Sequence, residues 1–536
     1  MNWKKKDECI TVESVVQRNV GMNISEFLRC SDDIEITNID KAAKLLVQAI
    51  KMKQQITIVG DYDCDGITAS TILFLTFKKL GIISKVRLPK RFSEGYGISE
   101  KIIDEINEGL IITVDNGISA HNAIAKAKDK GLDIIVIDHH QPTGELPPAN
   151  IIVDPHCVGK NNFSDYCGAG LALELSKKLI IDDELFIEKM TGIAAIGTIA
   201  DIVPLIKNNR KIVIDGLKAI NKGNTTSGLK ALLSELKISE IDETKIGYTL
   251  APALNAPGRL LDNGATLSFR LLASESNDLL KLSEVSRKII SLNNERKDSV
   301  KSGLEKAKEQ IKNIRTENKT AAVLYIPNIN EGIVGILAGQ IAEDLHRPTI
   351  VFTDSKSPEE IKGSGRTYRN INLKALLDKT NEKTDCILKY GGHPCAAGLT
   401  IKKSGLKDFE NTFVSQTNDV SDKDFDTVFY DLEISQEKIN DYYKELQKYR
   451  PFGAENSPVT FVIKNFKPST KFKDKYRNIG ETSIKIFGKN NDALGFDMTE
   501  KFKPLSSNRT WDLLGELSEN TFNNKTTVQF LFRDIK

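Results

Sequence analysis

Three short, mainly apolar runs in the first 140 residues, at 56–59, 110–114 and 134–137, each lead straight into acids. After the first stands Asp61-Tyr62-Asp63-Cys64-Asp65-Gly66, after the second Asp115-Asn116-Gly117, and after the third Asp138-His139-His140. Runs of this length suit strands buried on both faces. Further runs lie at 85–88 and 150–153, with helical stretches such as 67–80 and 119–130 between them. The alternation predicts a largely parallel sheet with helices on both faces. Ligands gather at the carboxyl ends of strands in such sheets, so three ends bearing carboxylates and imidazoles make one converging site. A fourth acid, Asp201, closes the apolar stretch 193–200.

Any one of these acids suits a helix cap or a turn. Four such motifs with a His-His pair among them do not reduce to caps, and the cluster would repel itself without cations. Carboxylates with one or two imidazoles favour Mg²⁺ or Mn²⁺, and several around one pocket can bridge two ions. Cys64 has no soft partner nearby and reads as a packing residue. The chain's 75 Lys+Arg against 73 Asp+Glu exclude a globally basic nucleic-acid coat but leave local patches open. Seven cysteines without a CxxC pair make no disulfide framework, so a reducing, cytoplasmic setting is expected. No apolar run approaches the ~18 residues of a membrane span. Lys4–6 are followed by Asp7 and Glu8 rather than an apolar signal region.

At ~150 residues per domain, 536 residues suggest three or four. From 277 to 318 the chain is polar and free of proline, while Leu282, Val285, Ile289, Leu292, Val300, Leu304, Ala307, Ile311 and Ile314 step by three or four with one gap. That spacing predicts a long amphipathic helix connecting two lobes. Strands and helices alternate again up to about 415. After 426 a helix near 436–449 and strand-like runs at 459–463, 483–487, 493–496 and 528–532 suggest a small β-rich module. The expected organisation is an N-terminal segment (1–50), a first α/β lobe (51–276), the connecting helix (277–318), a second α/β lobe (319–425) and the β-rich module (426–536).

The Asp61–Gly66 motif with Asp138-His139-His140 resembles the DHH phosphoesterase superfamily. Tyr390-Gly391-Gly392-His393-Pro394-Cys395-Ala396-Ala397-Gly398 is similar to the glycine-rich signature of its DHH-associated second domain. Glu94-Gly95-Tyr96-Gly97, Asn255-Ala256-Pro257-Gly258-Arg259-Leu260, Gly332-Ile333-Val334-Gly335-Ile336 and Lys362-Gly363-Ser364-Gly365-Arg366 narrow the resemblance to the RecJ family. Pro451-Phe452-Gly453 with Asn456 resembles that family's entry into an oligonucleotide-binding (OB) fold. The resemblance implies two α/β lobes, DHH and DHH-associated, joined by the long helix and followed by an OB-like domain. It implies a 5′-to-3′ exonuclease that hydrolyses single-stranded DNA to nucleotide 5′-monophosphates, in DNA repair and recombination, with two Mn²⁺ or Mg²⁺ ions. Its implied partners are single-stranded DNA, a single-strand-binding protein and a helicase, with the chain a monomer. Two stretches depart from the family pattern: Ile329-Asn330-Glu331, where an aromatic residue and His are usual, and Ala454-Glu455, where a glycine is usual.

Carried over by position, the resemblance makes Asp63, Asp65, Asp115, His139 and Asp201 metal ligands. Asp61 is either a ligand or a group orienting one, and His140 faces the scissile phosphate. Gly391, Gly392 and His393 permit close approach of a phosphate. Glycines, a hydroxyl and a guanidinium fork in 362–366 suit a phosphate as well. Arg259 follows Pro257-Gly258 and is expected to project from a turn. Arg259, Ser364 and Arg366 are assigned to the 5′-terminal phosphate, with Arg91 beside them. Lys464, Lys467, Lys471, Lys473, Lys475 and Arg477, interleaved with Phe466, Phe472 and Tyr476, form the pattern of a single-strand binding surface. The competing readings are a DHH phosphodiesterase of oligoribonucleotides or cyclic dinucleotides, which generally lacks the third domain, and an inactive replication scaffold, whose mark would be lost acids.

Overall fold

The computed structural model describes residues 2–30, 35–142, 144–159, 163–369, 371–417, 427–471, 474–522 and 525–536. Five parallel strands build the first lobe, in the order Ser84–Arg87, Ile56–Val59, Leu110–Val114, Asp133–Ile137 and Ile151–Val153. Every residue of Ile56–Val59 and Leu110–Val114 is buried, as parallel strands covered on both faces require. Ile56, Ile58 and Ile112 pack in one core with Ala69, Ile72 and Leu171 from the helices Cys64–Lys79 and Gly168–Leu179. Val59, Ile111 and Ile134 face the opposite core with Ile102 and Ile124 from Glu100–Asp104 and His121–Asp129. The three acidic motifs therefore leave the same edge of one sheet.

The connecting helix runs over Leu279–Thr316, 38 residues, or about 57 Å at 1.5 Å per residue. It serves two cores. Leu282 and Ile289 pack against the helical layer of the first lobe, whereas Val300, Ala307 and Ile314 pack in the second. The second lobe's sheet is ordered Ile387–Gly392, Ala396–Lys402, Glu360–Arg366, Thr349–Asp354 and Ala322–Tyr325, antiparallel except for its last pair.

A seven-stranded sheet, from Leu432–Glu433 and Phe461–Phe466 to Tyr476–Ile479, forms the third module. Its fastenings to the rest of the chain include these two. Asn2–Lys5 pairs in parallel with Thr427–Tyr430, and Trp3 Nε1 donates to Asp534 Oδ2 at 2.7 Å. The second fastening explains the Pro451-Phe452-Gly453 motif. Arg450 forks onto Glu243 of the first lobe at 2.8 Å on both arms, Arg210 donates to the Tyr449 carbonyl at 3.0 Å, and Leu205 N–H donates to the Ala454 carbonyl at 2.9 Å. A side chain at Gly453 would strike Leu205. The N-terminal 50 residues, which offered no motif, add three helices, Val12–Val20, Ile24–Arg29 and Ile39–Lys51. Val12, Phe27 and Leu46 of these helices share the first lobe's core. Among the described residues no helix is long and apolar enough to cross a membrane.

Candidate active site

Asp61 leaves the strand Ile56–Val59 beyond Gly60, and Asp63 caps the helix Cys64–Lys79, its carboxylate accepting from Gly66 N–H. Asp65 lies in that helix's first turn and turns back to accept from Gly168 and Ala169 N–H, at 2.6 and 2.8 Å. Those amides open the helix Gly168–Leu179, a helix end suited to an anion. The approach is close enough to demand glycine: a Cβ on Gly168 would lie 2.5 Å from Asp115 Cβ. Asp115 follows the strand Leu110–Val114 with φ +61°. His139 follows Asp133–Ile137, and Asp201 caps the C-terminus of the helix Glu184–Ala200 rather than a strand. His139 Nε2 sits 3.1 Å from Asp115, 3.7 Å from Asp65 and 3.7 Å from Asp201.

Three sets of ligand atoms each lie within 4.8 Å of one another: Asp65, His139 and Asp201; Asp61, Asp63 and Asp115; and Asp115, Asp138, His139 and His140. Burial and then mutual repulsion push Asp65 up to about 6 and Asp201 up to about 9. Asp115 rises well above the carboxylate range for the same two reasons. Asp61 rises through burial and then the charge of Asp63, and its Oδ2 is buried without a hydrogen-bond partner. Burial, and then the charge of His140, hold His139 down to about 3, so its imidazole stays neutral and able to bind a metal. Buried oxygen donors that repel one another, one of them orphaned, and a neutral imidazole fit hard divalent cations such as Mn²⁺ or Mg²⁺.

His140 differs from its neighbour. Burial pulls it down, but the hydrogen bond to Asp138 and that acid's charge raise it to about 9. Its Nδ1 donates to Asp138 Oδ1 at 2.7 Å. Asp138 also accepts from the N–H groups of Ile118, His139 and His140. Sequence reasoning quoted Asp138 in its motif but gave it no role; the structure makes it the group that charges and aims His140. Tyr96, quoted only as part of Glu94–Gly97, donates to the Asp115 carbonyl at 2.8 Å, its ring 5.7 Å from that of His140.

The second lobe supplies the opposite wall. The turn after Gly392 brings His393 to 6.4 Å from His140, ring to ring and nearly parallel. Gly391 and Gly392 lie exposed in the same hairpin. Arg366 donates to Ser364 Oγ at 3.1 Å and to the Gly365 carbonyl at 2.7 Å. A side chain at Gly335, on the helix Glu331–Leu345, would strike both Arg366 and Ser364. Arg259 does not project from a turn. It lies in the last turn of the helix Ala251–Leu260, which contains Pro257, and donates to the Gly332 carbonyl at 3.2 Å. Gly258 serves close packing instead, since a Cβ there would come within 2.9 Å of the Tyr62 carbonyl beside the acidic loop. Burial and then the charges of Arg91, Arg296 and Arg366 lower Arg259 to about 10. Arg91 lies over the Tyr62 ring at 4.5 Å. Arg296, on the connecting helix, escaped sequence reasoning because a lone arginine on a polar helix carries no signal.

The basic-aromatic segment is assembled less completely. Lys464 is paired with Glu433 at 3.0 Å. Lys467, Lys471, Lys475 and Arg477 are each exposed, with Arg477 over the Phe487 ring at 5.6 Å. Phe466 is fully buried, and Tyr476 packs edge-on against Phe502. Phe466 therefore offers no open face to a base, while Tyr476 is half-buried against the module's core. Phe472 and Lys473 lie outside the described residues.

Three family models fall on the three regions: the DHH family N-terminal domain on 55–198, the DHHA1 domain on 318–419 and the RecJ OB domain on 430–534. The single-stranded-DNA-specific exonuclease RecJ of Bacillus subtilis is 34% identical over 520 residues, covering 94% of this chain; the chain spans 64% of that relative's length. The RecJ of Escherichia coli is 31% identical over 403 residues, covering 71% of this chain and 69% of that one. A crystal structure of exonuclease RecJ bound to manganese is 27% identical with a TM-score of 0.61, covering 72% of this chain and 95% of that one. The Mn²⁺ complex of RecJ from Thermus thermophilus, at 23% identity and TM-score 0.80, covers 100% of this chain and 79% of that one and has the same fold. With all three of these domains in one chain and RecJ relatives matching along most of its length, the chain belongs to the RecJ family of single-stranded-DNA-specific exonucleases.

Proposed function

We propose that this chain hydrolyses single-stranded DNA from its 5′ end, releasing nucleotide 5′-monophosphates, with two Mn²⁺ or Mg²⁺ ions held by Asp63, Asp65, Asp115, His139 and Asp201. The observation that carries the reading is the meeting of two unlike sets of groups: buried acids at the first lobe's sheet edge, and a basic cluster made of Arg91 and Arg259 from the first lobe with Ser364 and Arg366 from the second. When bound, the ions supply an activated nucleophile and a clamp on the attacked phosphate. The chain's own groups do the rest. Asp61 holds the acidic loop through Gly97 N–H. Protonated His140, aimed by Asp138, donates to a phosphate oxygen as negative charge builds there. His393 closes over it from the second lobe. The arginines and Ser364 receive the 5′-terminal phosphate, whose extra charge and free oxygen distinguish it from an internal diester. A cleft closed by that pocket makes the enzyme an exonuclease.

The third module, with Lys467, Lys471, Lys475 and Arg477, draws in the rest of the strand. Its presence favours single-stranded DNA over the short oligonucleotide substrates of two-domain relatives, and the retained acids argue against an inactive scaffold. We further propose a cytoplasmic monomer working in repair and recombination with a single-strand-binding protein and a helicase.

The test is digestion of 5′-labelled and 3′-labelled single strands with Mn²⁺, against duplex and RNA controls. The 5′ label should leave first, as a mononucleotide, and blunt duplex should persist. Early loss of the 3′ label, or equal digestion of duplex, would overturn the reading.

A further inference from the structure

A cavity of about 480 Å³ shares Arg91 and Ser364 with the proposed phosphate pocket and continues beyond it to residues that mechanism does not use. The first lobe roofs it with Tyr62, Arg91 and Phe92, and the second lobe forms its floor. The register of the second lobe's strands fixes where it lies. Arg366 is paired with Ala396, and Ala396 accepts from His393 N–H, so this end of the sheet faces His140 and the metal ligands. One step away Ser364 is level with Gly398 and Gly391; a further step away Lys362 is level with Thr400, and Thr400 with Lys389. The cavity is lined by those middle and far rows and by neither Arg366 nor His393. From Arg366 to Lys362 the strand advances about 13 Å. The cavity therefore runs from Arg91 and Ser364, assigned to the 5′-terminal phosphate, away from the metal ligands to Lys362 and Lys389.

Its chemistry is that of an anion site. Arg91, Lys362 and Lys389 face one acid, Glu331, which holds Lys362 Nζ at 2.8 Å. Ser364 and Thr400 add hydroxyls. The floor is clear, because a Cβ on Gly391 or on Gly398 would meet no atom within 4 Å. Glu331 belongs to the stretch where the sequence departs from the family pattern, and here it braces a lysine.

We propose that this cavity accepts strands whose 5′-phosphate carries a further phosphate in anhydride linkage, with Lys362 and Lys389 seating that outer phosphate. The proposal rests on the 5′-exonuclease reading. The reaction is unchanged in its balance: water adds to the phosphorus of the second nucleotide, the bond from that phosphorus to O3′ of the first breaks, and O3′ takes a proton. The anhydride leaves intact on the released nucleoside. A 5′-triphosphate strand thus yields a nucleoside triphosphate in the first turnover, and a 5′-adenylylated strand yields an adenylyl-capped nucleotide. Later turnovers yield monophosphates.

The experiment compares three oligonucleotides of one sequence, bearing a 5′-monophosphate, a 5′-triphosphate or a 5′-adenylyl group. Each is digested by the wild-type chain, Lys362→Ala and Lys389→Ala, with products separated by chromatography. Wild type should cleave all three and release the intact anhydride product first. Each variant should lose about tenfold or more in kcat/KM on an anhydride end, and under about threefold on the monophosphate, which also reports folding. A loss confined to the triphosphate strand would assign the site to free polyphosphate ends, and one confined to the adenylylated strand to capped ends. Wild-type refusal of both anhydride ends while the monophosphate is cleaved would overturn the proposal. So would equal losses on all three strands, which would mean the cavity holds the terminal nucleoside. Failure on the monophosphate strand itself would instead strike the exonuclease reading.

Discussion

The two lobes bring opposite charge to one cleft, and they hold it by different means. In the first lobe the charged groups are short side chains fixed by backbone amides at element ends: Asp65 by Gly168 and Ala169, Asp138 by Ile118, His139 and His140, Asp63 by Gly66. In the second they are long side chains lying along a strand, and Arg366 reaches only its own neighbours, Ser364 Oγ and the Gly365 carbonyl. In the proposed mechanism, carboxylates placed by a rigid sheet edge set where the reaction happens, and guanidinium groups on flexible stems set which end of a strand enters. Substitutions of the first lobe's acids and His139 should therefore destroy chemistry at every substrate, and those of the second lobe's Arg366 and Ser364 should discriminate between substrates.

The largest effect tests the first half of that contrast. His139→Ala and Asp201→Ala should each lower hydrolysis of a 5′-phosphorylated strand by about a thousandfold or more, on any substrate. Asp201→Ala should not lower the Tm of metal-free protein: burial and Asp65 push Asp201 up to about 9, so in the absence of metal it must take up a proton to fold at neutral pH, a cost the variant escapes. Turnover near wild type in either folded variant would remove that residue from the metal centre.

The second half turns on Arg366→Ala. Lost charge-assisted hydrogen bonds should cost about 1.5–3 kcal/mol, roughly ten- to hundredfold in kcat/KM, on 5′-phosphorylated strands. The loss should be small on matched 5′-hydroxyl strands, which never made the contact. Equal losses would return Arg366 to the general backbone path and blur the contrast between lobes.

The smallest effect sharpens the first lobe's own account. His140 is charged up to about 9 because of Asp138. In Asp138→Asn it should return toward about 6.5. It would then be protonated at pH 6 in both proteins but largely neutral at pH 8 in the variant. The deficit should grow from slight at pH 6 to about tenfold at pH 8 in a pH–rate profile. A deficit independent of pH would leave Asp138 as a brace of its loop alone.

The sheet edge was legible because its signal is local: buried strands must be apolar, and Asp61, Asp115 and His139 stand within two residues of their ends. The connecting helix was legible for the same reason, its spacing holding over ten turns. Arg259 was misjudged because Pro257-Gly258 reads as a turn until Gly258 is seen pressed against the Tyr62 carbonyl, a contact between residues 196 apart in sequence. Phe466 was misjudged because an aromatic residue in a basic segment gives no sign of which way its strand faces. Asp138 went unassigned because its role, the charging of a neighbour, exists only once burial has removed water from His140.

The pairing of Asn2–Lys5 with Thr427–Tyr430, and of Trp3 with Asp534, has a consequence in time. The two residues of the latter bond are separated by 531 positions. At about 5–20 residues per second of synthesis, Trp3 waits roughly half a minute to two minutes for its acceptor. Loop closure over such a span is among the slowest kinds of native contact to form. Both lobes of the cleft are made within that interval, so the strand-degrading parts are complete before the module that feeds them is tied down.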